Sequence, residues 1–539
     1  MSKAYEDLYA SWKWNIPEHY NFGFDVVDRR AEDRTKLALL SLSEKQDKAT
    51  CQTFYELSCL SNQFANALIR LGVKKGDRAL IVLQSIPEWY ACMLGMIKLG
   101  VVPMPGTHML TEKDVVYRLT RAEGSVVITD EHHAPLIEKI ASQCPTLKTR
   151  IIVRGSREGW SSFEEEMGKS SVHLDRARVE KTKASDPMLI YFTSGTTGNP
   201  KMVLHTHGYP LGHEVTARFA QALTDRDLHW TASDTGWAKC AWGKIFGQWI
   251  VGAAVIQWET PGRFDADGLL RAMERYGVTT FCAPPTVYRM LIQMELSKYH
   301  LKLRHCMSAG EPMNPEVIKV WKDFTGCDIY DFFGQTETVC VLANYPFMPI
   351  KYGSVGKPTP GHDVRIVDDE GKDLPPEEEG HIAIRLTGDR PPGLFREYWK
   401  DQGEMEKSFH HGHYFTGDRG YKDKDGYFWF VGRGDDVIKS SGYRIGPFEV
   451  ESALQEHPAV AESAVVGVED PEGVRGVLVK AFVVLAKGYE PSDSLTKEIQ
   501  DHVKKTTAPY KYPRIIQYMK ELPKTTSGKI LRRELRKLG

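Results

Sequence analysis

Between about residues 50 and 300, apolar runs of strand length alternate with longer helix-patterned segments, which confines the chain to α/β layers built on parallel sheet. Residues 79–83 (Ala-Leu-Ile-Val-Leu) read as a buried strand, 88–99 as an amphipathic helix and 101–105 as the next strand. Residues 126–130 and 151–153 continue the series. From about 351 to 430 the texture changes to short strands with turn signals, as in Val364-Arg-Ile-Val-Asp-Asp-Glu-Gly371 and His381-Ile-Ala-Ile-Arg-Leu386. That predicts a more antiparallel, β-rich subdomain. After Gly434 a compact αβ pattern begins. Pro447 opens a helix over 448–456, where its missing N–H costs least; strands follow at 463–468 and 477–484, then a helix near 494–505. At 539 residues the chain exceeds what one core organises. The expected division is a large N-terminal domain, residues 1–433, of layered α/β subdomains plus the β-rich part, and a small α+β C-terminal domain, residues 434–539.

Charge excludes some partners. Seventy basic and 71 acidic side chains leave a net charge of -1, which supplies no field for drawing the whole chain onto nucleic acid or an anionic membrane. The longest apolar run, 249–256, falls far short of a bilayer span. The first 20 residues lack a signal-peptide core and are too acidic for an obvious transit peptide. Nine cysteines without a CxxC pair suit a reducing compartment. A cytoplasmic protein acting on small molecules is expected, with a homodimer left open.

The most informative stretch is Tyr191-Phe-Thr-Ser-Gly-Thr-Thr-Gly-Asn-Pro-Lys201. Small residues let backbone N–H groups approach phosphate oxygens, hydroxyls add hydrogen bonds, and a lysine neutralises charge. A solvated turn is the bland alternative. The Walker pattern fails because Pro200 precedes Lys201, and a dinucleotide fingerprint at Gly432-Arg-Gly434 fails because Val437 replaces its third glycine. An NTP-phosphate loop of a third kind remains. His205-Thr-His207 and His410-His-Gly-His413 lack structural-zinc spacing.

With these motifs in order, the chain resembles the adenylate-forming superfamily of acyl-CoA synthetases, adenylation domains and luciferases, over nearly its whole length. Within it, Asp234-Thr-Gly-Trp237, Ser440-Ser-Gly-Tyr-Arg-Ile-Gly-Pro-Phe-Glu-Val450 and Ala508-Pro-Tyr-Lys-Tyr-Pro513 look most like the medium-chain acyl-CoA synthetases. The resemblance makes Thr193, Ser194, Gly195, Thr196, Thr197, Gly198 and Lys201 a loop over the β- and γ-phosphates of ATP. Gly310, Glu311 and Pro312, with Asp331, Phe332, Phe333, Gly334, Gln335 and Thr336, would sandwich adenine and the α-phosphate. Thr336 would donate to that phosphate and Glu337 would hold Mg²⁺, a hard cation that prefers oxygen ligands. Asp418 and Arg433 would take the ribose, Asp435 would be a hinge, and Lys529 the catalytic lysine.

The implied function is an AMP-forming carboxylic-acid:CoA ligase acting on a medium-chain, branched or cyclic acid. The acid attacks the α-phosphate, pyrophosphate leaves, and the acyl group passes from the adenylate to coenzyme A, giving a thioester and AMP. Family members rotate a mobile C-terminal domain between the two steps, exchanging the Lys529 loop for a face carrying Ser441, Gly442 and Tyr443, with Arg444 near the phosphate or carboxylate region. Arg475 and Tyr512 are expected coenzyme A contacts. The alternative is an adenylation enzyme that loads a carrier protein. Short-chain relatives carry tryptophan before Gln-Thr-Glu, whereas here Gly334 leaves room for a larger acid. Trp237, Trp242 and Cys282 are expected pocket walls. Lys239 either snorkels to solvent or presents a polar group to the acid.

Overall fold

The computed structural model describes residues 3–193, 200–259, 264–310, 313–434, 436–440, 443–470, 477–507, 511–524 and 529–538. The early alternation folds as expected. Val102–Pro105, Arg78–Val82, Val126–Asp130, Thr149–Val153 and Ser161–Ser162 form, in that order, an all-parallel sheet. Its central strands are covered on both faces, which is why they read as continuous apolar runs rather than alternating ones.

One expectation needs correction. The helix expected at 88–99 forms as Pro87–Leu99, with proline at its first turn, but it is not amphipathic. Every residue from Trp89 to Leu99 is buried, because helix Phe54–Arg70 packs against it. Lys98 is the cost of that burial. Its ammonium lies 2.6 Å from Asp28 and 2.7 Å from Asn62, partners that satisfy an otherwise expensive interior charge.

A second sheet of nine strands positions the site. Its order is Lys357–Pro358, Cys340–Ala343, Ile329–Gly334, His305–Ala309, Thr280–Ala283, Leu228–Thr231, Ala254–Trp258, Leu37–Leu42 and Ala49–Thr53. The run from Ile329–Gly334 to Leu37–Leu42 is parallel, and the outer strands join antiparallel. Open parallel sheets bind ligands beyond the carboxyl ends of their strands. Here those ends run into Ser233-Asp234, Pro284, Gly310 and Gln335, all on the wall of one large cavity.

Two antiparallel sheets flank that edge. Pro187–Thr193 and Lys201–Thr206 form a hairpin around the phosphate-loop motif, and Glu397–Tyr398 adds to its outer side. The predicted β-rich part contains Val364–Val367, Gly380–Arg385, Phe409–His410, His413–Lys422 and Phe428–Arg433. Further on, helices Pro447–Gln455 and Asp493–Thr506 pack with strands Val460–Glu469, Val477–Leu485 and Ile515–Tyr518 around a core of their own. The Glu449 carboxylate accepts from the Gly446 N–H at 3.0 Å, so the proline-led helix is also capped. Among the described residues, no helix is long and apolar enough to cross a membrane.

Candidate active site

The cavity encloses about 1480 Å³. The turn after strand Ile329–Gly334 stands at its centre and is held from four directions. Gln335 donates to Thr416 O (2.8 Å) and Asp418 Oδ2 (2.6 Å), and its own carbonyl accepts from Tyr414 Oη at 2.9 Å. His205 Nε2 lies 2.8 Å from Thr336 O. Tyr398 Oη donates to Glu337 Oε1 at 2.8 Å, and the backbone carbonyl of Glu337 accepts from Phe395 N–H. Thr336 and Glu337 therefore face the cavity on a backbone with little freedom to move.

His205 is fully enclosed, and burial pushes its imidazole down to about 3. It is neutral at working pH, so Nε2 carries a proton to donate to the Thr336 carbonyl.

Around this turn several of the residues singled out in the sequence meet on one cavity wall. Thr193, Lys201, Gly310 and Asp331 line the cavity, as do Phe332, Phe333, Asp418 and Arg433. Gly310 has φ +105°, and a Cβ there would stand 3.0 Å from Lys239 Nζ, so only glycine fits without strain. Asp418 is buried opposite Arg433 on the paired strand, with Arg433 Nε 3.3 Å from Oδ1. Burial raises its carboxyl above the ordinary range, against the opposing pull of Arg433, Gln335 and Lys529. Lys529 reaches the same cavity from the distant C-terminal segment.

Asp331 is fully buried. It accepts from Met313 N–H and Phe332 N–H at 3.0 Å each, and burial still pushes its carboxyl up to about 7. An unfolded aspartate titrates near 3.9, roughly three pH units lower, so the folded chain holds a proton that the unfolded chain releases. Stability is then greatest below about pH 4 as far as this group is concerned, and is lost as pH rises through 7, by ~4 kcal/mol. Asp331→Asn should flatten that slope. Urea midpoints of native and variant protein at pH 5 and pH 8 would check it: the variant should gain on the native at the higher pH.

The pocket-wall residues divide. Trp237, Lys239 and Trp242 line the cavity, and Lys239 does not snorkel away: Nζ donates to Ala309 O at 2.5 Å. Cys282 is a correction. It packs within strand Thr280–Ala283, among the core that holds Trp242 and Met307, and is not on the cavity wall. Gly334 is tighter than the sequence implied. A Cβ there would lie 2.4 Å from Val339 O and 2.5 Å from Trp242 Cη2, so the Trp242 indole already occupies part of the space.

Tyr512 lies under Lys504 and Arg514, 4.3 and 4.4 Å from its ring, apart from the cavity wall. Ser194, Gly195, Thr196, Thr197 and Gly198 lie outside the described residues, as do Glu311, Pro312, Asp435, Ser441, Gly442 and Arg475. Tyr443 and Arg444 sit on strand Tyr443–Ile445, with side chains outside the description. Sequence reading missed His205, Tyr398 and Tyr414 as supports. The histidine and tyrosine types were visible, but their partners lie 131, 61 and 79 residues away.

Strand ends that present a backbone turn, two buried carboxylates and cations around one cleft suit an enzyme that binds a nucleotide beside a second anion. Comparison with known proteins makes this specific. Residues 25–399 match the AMP-binding enzyme family and residues 449–529 the AMP-binding enzyme C-terminal domain. The chain is 47% identical to human acyl-coenzyme A synthetase ACSM3, mitochondrial, covering 99% of this chain and 92% of that one. Among solved structures, the anthranilate CoA ligase AuaEII with anthranoyl-AMP aligns at TM-score 0.88 and 32% identity, over 97% of this chain and 98% of that one. A Brucella canis acyl-CoA synthetase aligns at 0.77 and 34%, over 99% and 98%. The chain belongs to the AMP-binding enzyme family, in its medium-chain acyl-CoA synthetase branch. It is an AMP-forming carboxylic-acid:CoA ligase whose substrates include ATP and coenzyme A.

Proposed function

We propose that this ligase prefers a compact branched or ring-shaped acid of medium size. The observation that carries the reading is the closeness of Trp242 to Gly334. Glycine opens the wall and the indole narrows it, leaving a slot suited to a wide, short group. That a similar structure holds an anthranoyl adenylate, itself a ring acid, supports the same reading.

In this proposal Lys529 bridges the acid carboxylate and the α-phosphate, and Thr336 donates to an α-phosphate oxygen. Asp418 and Arg433 hold the ribose, and Asp331, Phe332 and Phe333 border the base. Lys201 and the loop from Thr193 through Gly198 hold the outer phosphates. Positioning and charge neutralisation supply the catalysis, since phosphoryl chemistry asks for little covalent help. Among the described residues no group of three potential ligands could cage a metal, so Glu337 would hold Mg²⁺ together with substrate phosphates, the usual arrangement for this ion. Bound there, the ion would neutralise the polyphosphate. Tyr398 on Oε1 leaves Oε2 for that task.

We place the domain boundary at 433/434, with Asp435 as the pivot that brings Ser441, Gly442, Tyr443 and Arg444 to the site for thioester formation. Arg475 belongs with the coenzyme A contacts. A homodimer is left open. A cytoplasmic location remains part of the proposal, although the ACSM relatives are named as mitochondrial.

The test is thioester and AMP formation with free coenzyme A over acetate, butyrate, hexanoate, 2-methylbutyrate, benzoate and cyclohexanecarboxylate. Each buried CH₂ is worth ~0.8 kcal/mol, about fourfold in kcat/KM. On this basis 2-methylbutyrate should exceed acetate by about sixtyfold and cyclohexanecarboxylate by about a thousandfold. A preference for acetate would overturn the proposal.

A further inference from the structure

Lys201 follows the phosphate-loop motif, and its ammonium is already engaged. Its Nζ lies 2.5 Å from Glu404 Oε2, and it stands over the Tyr398 ring at 4.9 Å from the centroid. Glu404 lies in helix Gln402–Ser408, whose N-cap Asp401 accepts from the Glu404 N–H, so the carboxylate is presented by a capped turn. Lys407 donates to the other Glu404 oxygen at 2.7 Å. These two cations hold the Glu404 carboxyl below its ordinary range, and it is ionised at neutral pH. Lys201, Tyr398, Glu404 and Lys407 all line the main cavity.

Lys201 is also, among the described residues, the side chain common to this cavity and a smaller one of about 370 Å³ bordered by Tyr117, Arg121, Trp399 and Asp401. The ion pair thus stands where the outer phosphates of a nucleotide would meet the protein's edge.

A carboxylate in this place is a poor neighbour for a polyphosphate. It competes for the same ammonium and repels the same anion. Binding of ATP must pull Lys201 from Glu404, or share it, at a cost in affinity. After the α-phosphate bond breaks, the detached pyrophosphate carries more charge and has lost its covalent tether, and the waiting carboxylate takes the lysine back. We infer that Glu404 is a positioning residue that competes with pyrophosphate for Lys201 and so speeds product release. This rests on the proposed placement of Lys201 on the outer phosphates. No new bond is made or broken: the ammonium exchanges one anionic oxygen partner for another, and the proton stays on nitrogen.

Glu404→Gln keeps the side-chain shape and removes the charge. Pyrophosphate binding to the full enzyme, followed by calorimetry with magnesium present and no acid, should tighten about tenfold. In turnover, the KM for ATP should fall, and inhibition by added pyrophosphate should strengthen by a similar factor. Glu404→Asp, which retains the charge on a shorter arm, should lie between the two. A merely structural role would lower thermal stability and leave the pyrophosphate constant unmoved. Unchanged or weaker pyrophosphate binding in Glu404→Gln overturns the inference.

Lys201→Met separates the two readings. If it loses pyrophosphate affinity while Glu404→Gln gains none, only the competition fails. If Lys201→Met binds pyrophosphate as the native enzyme does, the placement of Lys201 fails as well.

Discussion

Lys529→Ala should lose acyl-adenylate formation by about a thousandfold while still passing the acyl group from supplied acyl-adenylate to coenzyme A. The reason is electrostatic. In the first step a carboxylate must approach an α-phosphate, and two anions in a cleft with little water repel strongly. Lys529 lines that cleft, and its charge is felt at Asp418 on the far side. Without it two of the remaining cations, Lys201 and Arg433, are already engaged with Glu404 and Asp418. In the second step the repulsion is gone, because a thiol attacks a carbonyl already activated as a mixed anhydride. Acid-dependent ATP–pyrophosphate exchange reads the first step, and thioester formation from synthetic acyl-adenylate reads the second. Equal loss in both would remove Lys529 from its assigned role.

An exchange of bulk between positions 334 and 242 should redirect the enzyme to short acids. Gly334→Trp alone cannot be accommodated, since even a Cβ at 334 meets Trp242 Cη2 at 2.5 Å and Val339 O at 2.4 Å. Overpacking of this kind costs ~1–3 kcal/mol or more. Pairing it with Trp242→Gly removes the first of these collisions, and the Val339 carbonyl must shift for an indole to enter from the other wall. The double variant should favour acetate over cyclohexanecarboxylate, reversing a native preference in the opposite sense by about a hundredfold or more. The ratio of kcat/KM values for the two acids checks it. Trp242→Gly alone should widen the range of acids accepted. An unchanged ratio in the double variant would mean that neither side chain touches the acid.

Much of this was legible in the residues. The strands of the parallel sheets were visible because burial on both faces leaves an unbroken apolar run, as in 79–83. The 193–201 stretch stood out because few tasks other than phosphate binding collect hydroxyls, glycines and a lysine so closely. What the residues hid has a common cause. Helix Pro87–Leu99 looked amphipathic because Glu88 and Lys98 mark its ends, but its burial is decided by a neighbouring helix. Cys282 was assigned from its place after a motif, and sequence proximity does not say which side of a strand faces a ligand. His205 and Tyr398 were invisible as supports because their partners are supplied by long-range folding, and a lone histidine or tyrosine carries no mark of what it will meet.

The Gln335 amide has a further consequence. Its nitrogen end is spent on Thr416 and Asp418 and its oxygen end on Tyr414, so it cannot be turned end for end without breaking all three contacts. It is a strut between the parallel sheet that carries Thr336 and the antiparallel sheet that carries Asp418. Sugar and phosphate of one nucleotide would thus be gripped by two separately built slabs, tied at the site by this side chain as well as by the backbone bonds of Phe428 to Val355 and Gly356, and a shift in either slab would be registered by the other.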